Sequence, residues 1–274
     1  MRVLKLLLAA TLVVVTLLYG FTTFQNTVSG RNEGPTISCP QEVLEVSVQD
    51  PESVLRSGIT AQDKQDGDLT SRILIQGVSR QITDQMTKVT FLVFDSDGNS
   101  ASVTRTIRYK DYTKPHFVIS QPLVYYNASS IALLDRLQAV DCIDGDITNA
   151  VRVSSLETTN DPEIYTTNVQ VTNSLSDTAR LTLPLVIYAT TARRPEILLT
   201  DSLVYLKQGT AFRPQAYLSN VVLPTVSPAG QTADLSKVQI TGSVNTSVPG
   251  TYLVHYRYPY EDTAALTVLT VVVE

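Results

Sequence analysis

DKQDGDLT at Asp63–Thr70 and DCIDGDIT at Asp141–Thr148 are one acidic octet written twice, 78 residues apart, with Asp, Asp, Gly, Asp and Thr in register. Either a metal site or a whole loop has been duplicated, and the residues around the octets favour a loop within a duplicated domain. Pro35, Pro115 and Pro195 recur 80 residues apart, opening the apolar stretches GPTISC, KPHFVI and RPEILL. A second apolar segment follows each of them: EVLEVSV, PLVYYN and SLVYLK. Self-similarity at a fixed period is the mark of an array. The chain after the first 34 residues therefore reads as three tandem units of about 80 residues without long linkers.

Within each unit the hydrophobic period is two. In GTYLVHYRY, Tyr252, Val254, Tyr256 and Tyr258 share one face, and Leu253, His255 and Arg257 the other. In SVTRTIRY, Val103, Arg105, Ile107 and Tyr109 alternate with Thr104, Thr106 and Arg108. Short alternating runs separated by Gly, Asp, Asn and Ser turns predict antiparallel β-sandwiches. No segment after residue 25 has the period of an amphipathic helix.

The N-terminus is of another kind. Arg2 and Lys5 precede an apolar run from Leu6 to Phe21, which extension through Phe24 brings near the roughly 20 residues that span a bilayer. Positive charge on that side alone keeps the N-terminus cytoplasmic and exports the rest. LYGFTTF is bulky where a cleavage site needs small residues, so an uncleaved signal anchor is expected, with a cleaved signal and a secreted product as the alternative.

Composition narrows the function. A net charge of −5 argues against nucleic acid, which needs a basic surface. The only histidines, His116 and His255, have no motif partners, and zinc wants several His or Cys ligands. No Gly-x-Ser-x-Gly, phosphate loop or dinucleotide turn occurs, so an enzyme is not expected. Cys39 and Cys142 read as isolated thiols, with a bridge between units or chains as the alternative.

GITAQDKQDGDLTSRI followed by VTFLVFDSDGNSASVTRTI resembles the immunoglobulin-like (Ig-like), HYR-related repeats of bacterial cell-surface proteins and some crystal toxins. The likeness covers nearly all of the first unit. The second keeps AVDCIDGDITNAV but has TNSLSDTA in place of the DSDGNSA turn, and the third keeps only NTSVPGTYLVHYRY. The resemblance implies Ig-like antiparallel β-sandwiches; with the three-unit period and the apolar N-terminal run, the expectation is an all-β chain of three tandem Ig-like antiparallel β-sandwich domains after one N-terminal transmembrane helix. The boundaries expected are a tail at 1–5, the anchor at 6–24, a polar stalk at 25–34, and domains at 35–112, 113–192 and 193–274.

Two sets of residues are candidates for binding. In the first unit Asp63, Asp66, Asp68, Asp95 and Asp97 are expected at one pole, where a hard cation such as Ca²⁺ would relieve their repulsion. Asp141, Asp144 and Asp146 would form the corresponding set near Asp111. The competing reading makes the octets turns, since Asp caps its own backbone and Gly accepts positive φ. The second set is aromatic: Tyr125, Tyr126, Tyr258 and Tyr260, for stacking on sugar or anchoring a protein. The expected role is that of a membrane-anchored extracellular structural or adhesive protein of the bacterial envelope. The alternatives are a polysaccharide-binding accessory module and a subunit of a larger self-associating assembly. The expected partners are the membrane and a surface protein or glycan.

Overall fold

The computed structural model describes residues 12–21, 34–126, 131–189, 194–224 and 232–274. Residues 12–21 are helical and apolar. Among the described residues no helix is long and apolar enough to cross a membrane. The rest of the expected anchor and most of the expected stalk lie outside the described residues.

The described residues from 34 onward are built chiefly of strands. The first seven are β1 (Thr36–Ser38), β2 (Val43–Val46), β3 (Thr60–Asp63), β4 (Gly67–Asp68), β5 (Leu74–Val78), β6 (Met86–Phe94) and β7 (Ser100–Tyr109). They form two sheets, ordered β1-β3-β4 and β2-β7-β6-β5. The next eight are β8 (His116–Ile119), β9 (Val124–Tyr126), β10 (Leu137–Asp141), β11 (Gly145–Asp146), β12 (Arg152–Val153), β13 (Glu157–Thr158), β14 (Ile164–Thr172) and β15 (Thr178–Tyr188). Their sheets run β11-β10-β8 and β12-β14-β15-β9, with β13 also on β14. The last six are β16 (Glu196–Leu199), β17 (Leu203–Leu206), β18 (Leu218–Val222), β19 (Gln239–Thr241), β20 (Gly250–Tyr260) and β21 (Thr263–Val273). They pair as β16-β18 and β17-β21-β20-β19.

Each pair of sheets repeats one plan. The opening strand pairs antiparallel with a strand of the smaller sheet, as β8 does with β10 and β16 with β18. The next short strand crosses to the larger sheet, where β9 runs parallel to β15 and β17 parallel to β21. Alternation along the long strands sends one face inward: Phe117, Leu137 and Ala139 of one sheet meet Val169, Val171, Leu181 and Leu183 of the other in a single buried cluster. Ile197 and Val221 meet Val254, Tyr256, Tyr258, Leu269 and Val271 in the same way.

The chain divides into two compact units. One comprises the described residues up to Ser79 with Met86–Arg108, and the other Arg80–Gln85 with Tyr109–Glu274. The second unit holds two sheet pairs because they share a core. Ile164, Val186 and Tyr188 of one pack on Leu266 and Val268 of the other. The Arg194 guanidinium lies 4.2 Å over the Tyr188 ring, pairs with Glu163 at 3.1 Å and donates to the Ala264 carbonyl at 2.9 Å.

In the first unit β7 turns Arg105 inward beside Ile107, and both are fully buried. Its guanidinium donates to the carbonyls of Gln41, Leu55 and Ser57 and to the Cys39 sulfur. Cys39 and Cys142 are both free thiols.

Candidate functional site

Each octet closes a hairpin. Asp63 pairs with Gly67 across a three-residue loop, and Asp141 with Gly145. Such a loop needs a left-handed residue where it rejoins the strand, and Gly67 and Gly145 supply it at φ 74° and 72°.

The carboxylates then take separate duties. Asp63 Oδ1 accepts from the amides of Gln65 and Asp66 at 2.7 and 2.9 Å. Asp141 Oδ1 does the same for Ile143 and Asp144. Asp68 and Asp146 accept from the amides of Thr70 and Thr148, and these threonines hold both carboxyl groups below the usual carboxylate range. The two threonine hydroxyls in turn accept from the amides of Ala61 and Ala139, tying each loop to the preceding strand.

Asp66 and Asp144 reach across the pole. Asp66 accepts from the Ser96 amide at 2.6 Å and its hydroxyl at 2.9 Å, which hold its carboxyl below the usual range. Asp144 binds Ser174 through the same two bonds, at 2.6 and 2.7 Å. The octet is therefore a clasp between the β3–β4 loop and the β6–β7 turn, and it recurs between the β10–β11 loop and the β14–β15 turn.

The two copies part at the next position. In the second, Asn173 donates its side-chain amide to Asp141 Oδ2 and to the Tyr112 hydroxyl, both at 3.1 Å. Tyr112 donates onward to Asp177 at 2.9 Å, and burial together with Asp177 pushes its phenol well above the ordinary range. In the first, Asp95 stands where Asn173 would be. Its Oδ1 accepts from the amides of Asp97 and Asn99, and its Oδ2 from the Asn99 side chain. Asp97 is exposed on the turn. Among the described residues no three His, Cys, Asp or Glu side chains are gathered closely enough to hold a metal ion. One oxygen on each of Asp63, Asp66, Asp68, Asp95, Asp141, Asp144 and Asp146 accepts from a backbone amide instead.

The aromatic set divides. Tyr125 and Tyr258, expected as surface contacts, are buried in two separate cores, because the inward strand register claims them. Arg136 covers the Tyr125 ring at 4.6 Å. Tyr126 points outward, 41% exposed, with its ring 5.5 Å from that of Tyr188. It borders an open groove of about 510 Å³ that Arg136, Gln121 and Glu196 also line. Tyr260 is half-buried beside the third core.

No protein-family model and no curated protein matches the chain. Among solved structures, the chain is similar to the CBM51-2 and INT domains of Clostridium perfringens ZmpB in complex with GlcNAc, at 17% identity over 56% of this chain and 41% of that one, with a TM-score of 0.23. It is similar to the extracellular domain of protocadherin GammaB4 at 13% identity, over 89% and 50% of the two chains, with a TM-score of 0.21. Drosophila N-cadherin EC1-4 gives 10% identity over 89% and 76%, with a TM-score of 0.23.

Proposed function

We propose that the chain is a membrane-anchored protein of the bacterial cell envelope, non-catalytic, with three Ig-like sandwiches of the HYR-related kind exported. These sandwiches hold or space a binding surface outside the membrane. The observation that carries this reading is the core shared by Tyr188, Val186, Leu266 and Val268. Independent domains on a string expose the surfaces between them and move freely. Here two consecutive sheet pairs are joined through buried side chains, which suits a spacer of fixed geometry. The Leu6–Phe24 segment, basic only on its N-terminal side, supplies the anchor.

The test uses the full chain with a C-terminal tag, expressed in bacterial cells. The tag is expected to resist carbonate extraction and to be destroyed when protease is added to intact spheroplasts. Protection of the tag would refute export. An exposed tag on cells whose adhesion and surface architecture match those of cells lacking the chain would refute the structural role.

A glycan-binding reading is favoured by one feature, the exposed Tyr126 ring beside the groove with Arg136 and Glu196. It requires Tyr126→Ala to abolish retention of the full chain on immobilised envelope polysaccharide.

A further inference from the structure

The outer face of β14 and β15 carries polar side chains that the fold leaves uncovered. Register places Arg152, Gln170 and Arg180 side by side on β12, β14 and β15, with Asn168 and Thr182 opposite each other on the next rung. Further along the same two strands that face is covered, where Ile164, Val186 and Tyr188 pack on Leu266 and Val268. The bare rungs instead line an open groove of about 460 Å³, together with Thr251 of β20. That volume lies within the roughly 300–1,000 Å³ typical of ligand sites. The groove shares no residue with the one beside Tyr126.

Internal hydrogen bonds decide what the row presents. Arg180 Nε donates to Gln170 Oε1 at 3.0 Å, and the Thr182 hydroxyl donates to Asn168 Oδ1 at 2.6 Å. Each carboxamide thus engages its oxygen within the row and keeps its NH₂ group for a ligand. Among the described residues neither Arg152 nor Arg180 has a carboxylate partner. Glu157, on the same face, stands opposite Thr166 and not opposite Gln170.

A row of unspent donors, two of them cationic, selects a ligand rich in acceptors and negative charge. All four groups are planar, and the guanidinium fork matches a planar carboxylate through two parallel bonds. β14 is paired on both sides, by β12 and β15, so it has no free edge to take a peptide as an added strand. Its backbone amides are spent in those ladders and leave no concavity to cradle a phosphate. The two arginines stand two strand spacings apart, about 10 Å, which suits successive charges along a polymer rather than one small ion.

We propose that the Arg152–Gln170–Arg180 row binds an extended acidic polysaccharide. A uronate carboxylate sits on each arginine, and the Asn168 and Gln170 amides donate to oxygens of the sugars between them. Export, as proposed above, brings the row to such polymers, but binding itself needs only the folded chain.

The experiment is calorimetric titration of oligogalacturonate into the detergent-solubilised full chain. Uncharged galactose oligomers, polyglycerol phosphate and oligoglutamate serve as parallel titrants. Wild type is expected to bind the uronate oligomer in preference to all three, and to lose affinity as salt rises. Arg152→Gln and Arg180→Gln are each expected to weaken binding about tenfold, and the double variant to abolish it. Both side chains are exposed, so these variants are expected to melt as wild type does. Tyr126→Ala is expected to bind normally, which separates this site from the other groove. No binding of the uronate oligomer by folded wild type would overturn the proposal, as would binding that survives the double variant or is lost in Tyr126→Ala. Equal or tighter binding of any parallel titrant would overturn the assigned ligand. Should Arg180→Gln fail to fold, Arg152→Gln on the short edge strand β12 gives the same reading alone. Failure here leaves export and the structural role standing.

Discussion

The hydroxyl of Tyr188 bonds both backbone groups of one residue, accepting from the Leu266 amide at 2.7 Å and donating to the Leu266 carbonyl at 3.3 Å. The two residues belong to consecutive sheet pairs, and the phenol is buried between them. Burial, the first cause, and the Glu163 charge push its pKa up to about 12, while the Leu266 bond and Arg194 oppose them. The group therefore stays a neutral donor throughout the physiological range.

Removing that hydroxyl leaves two buried backbone groups short of a partner. Tyr188→Phe is expected to destabilise the second unit by about 1–3 kcal/mol. Tyr126→Phe, on the exposed neighbouring ring, is expected to change it by less than about 0.5 kcal/mol. Denaturant unfolding of the full chain, followed by amide exchange in β15 and β21, separates the two.

Arg105 is the corresponding point in the first unit. Its fully buried guanidinium is held by carbonyls, with Nη2 left without a partner. Arg105→Ala opens a cavity and orphans those carbonyls, for an expected loss of about 2–4 kcal/mol. Exchange protection should fall in β1–β7 and stay unchanged in β16–β21; a uniform loss would contradict the assignment of Arg105 to the first unit alone.

The clasps respond to acid. Ser96 holds the Asp66 carboxyl below the usual range, and Thr70 and Thr148 do the same for Asp68 and Asp146. A depressed folded pKa contributes stability above the unfolded value of about 3.9, and that stability is lost as pH falls through the lower folded value. The melting temperature is expected to fall as pH drops below about 4. In Asp66→Asn that fall should be shallower, starting from a lower neutral-pH value. A slope identical to wild type would show that Asp66 does not contribute.

Backbone geometry gives a sharper contrast. Nothing lies within 4 Å of a methyl added at Gly67 or Gly77, but only Gly67 has a left-handed φ, at 74°. Gly67→Ala is expected to cost about 1–2 kcal/mol from the backbone alone. Gly77→Ala in β5 should be neutral or stabilising by up to about 1 kcal/mol. Differential scanning calorimetry of both variants checks the sign.

The strands were legible in the sequence because burial follows their alternation. Val254, Tyr256 and Tyr258 are inward, and Arg257 is outward, as the period of two requires. The same pattern placed Arg105 on the inner face with Ile107, although charge alone would have put it in water. The clasp was less legible. Asp66 and Ser96 are 30 residues apart, and only the matching spacing of Asp144 and Ser174 hints at a bond. Neighbours in a strand face opposite sides, so one of Tyr125 and Tyr126 has to face outward, but which one depends on the pairing of β9 with β15. The joint at Tyr188 left no local trace, because its partner Leu266 lies within another apolar run that reads simply as core.

The parallel pairing of β17 with β21 has a mechanical consequence. Leu203–Leu206 lie beside Thr270–Val273 in register, and further bonds join Glu274 to Leu206 and Gln208. Tension that draws these two strands apart along their length loads the whole row of hydrogen bonds at once, in shear, rather than peeling them open singly. β9 and β15 repeat the arrangement in the preceding sheet pair. Along that axis a sandwich of this design yields only when a complete row ruptures together.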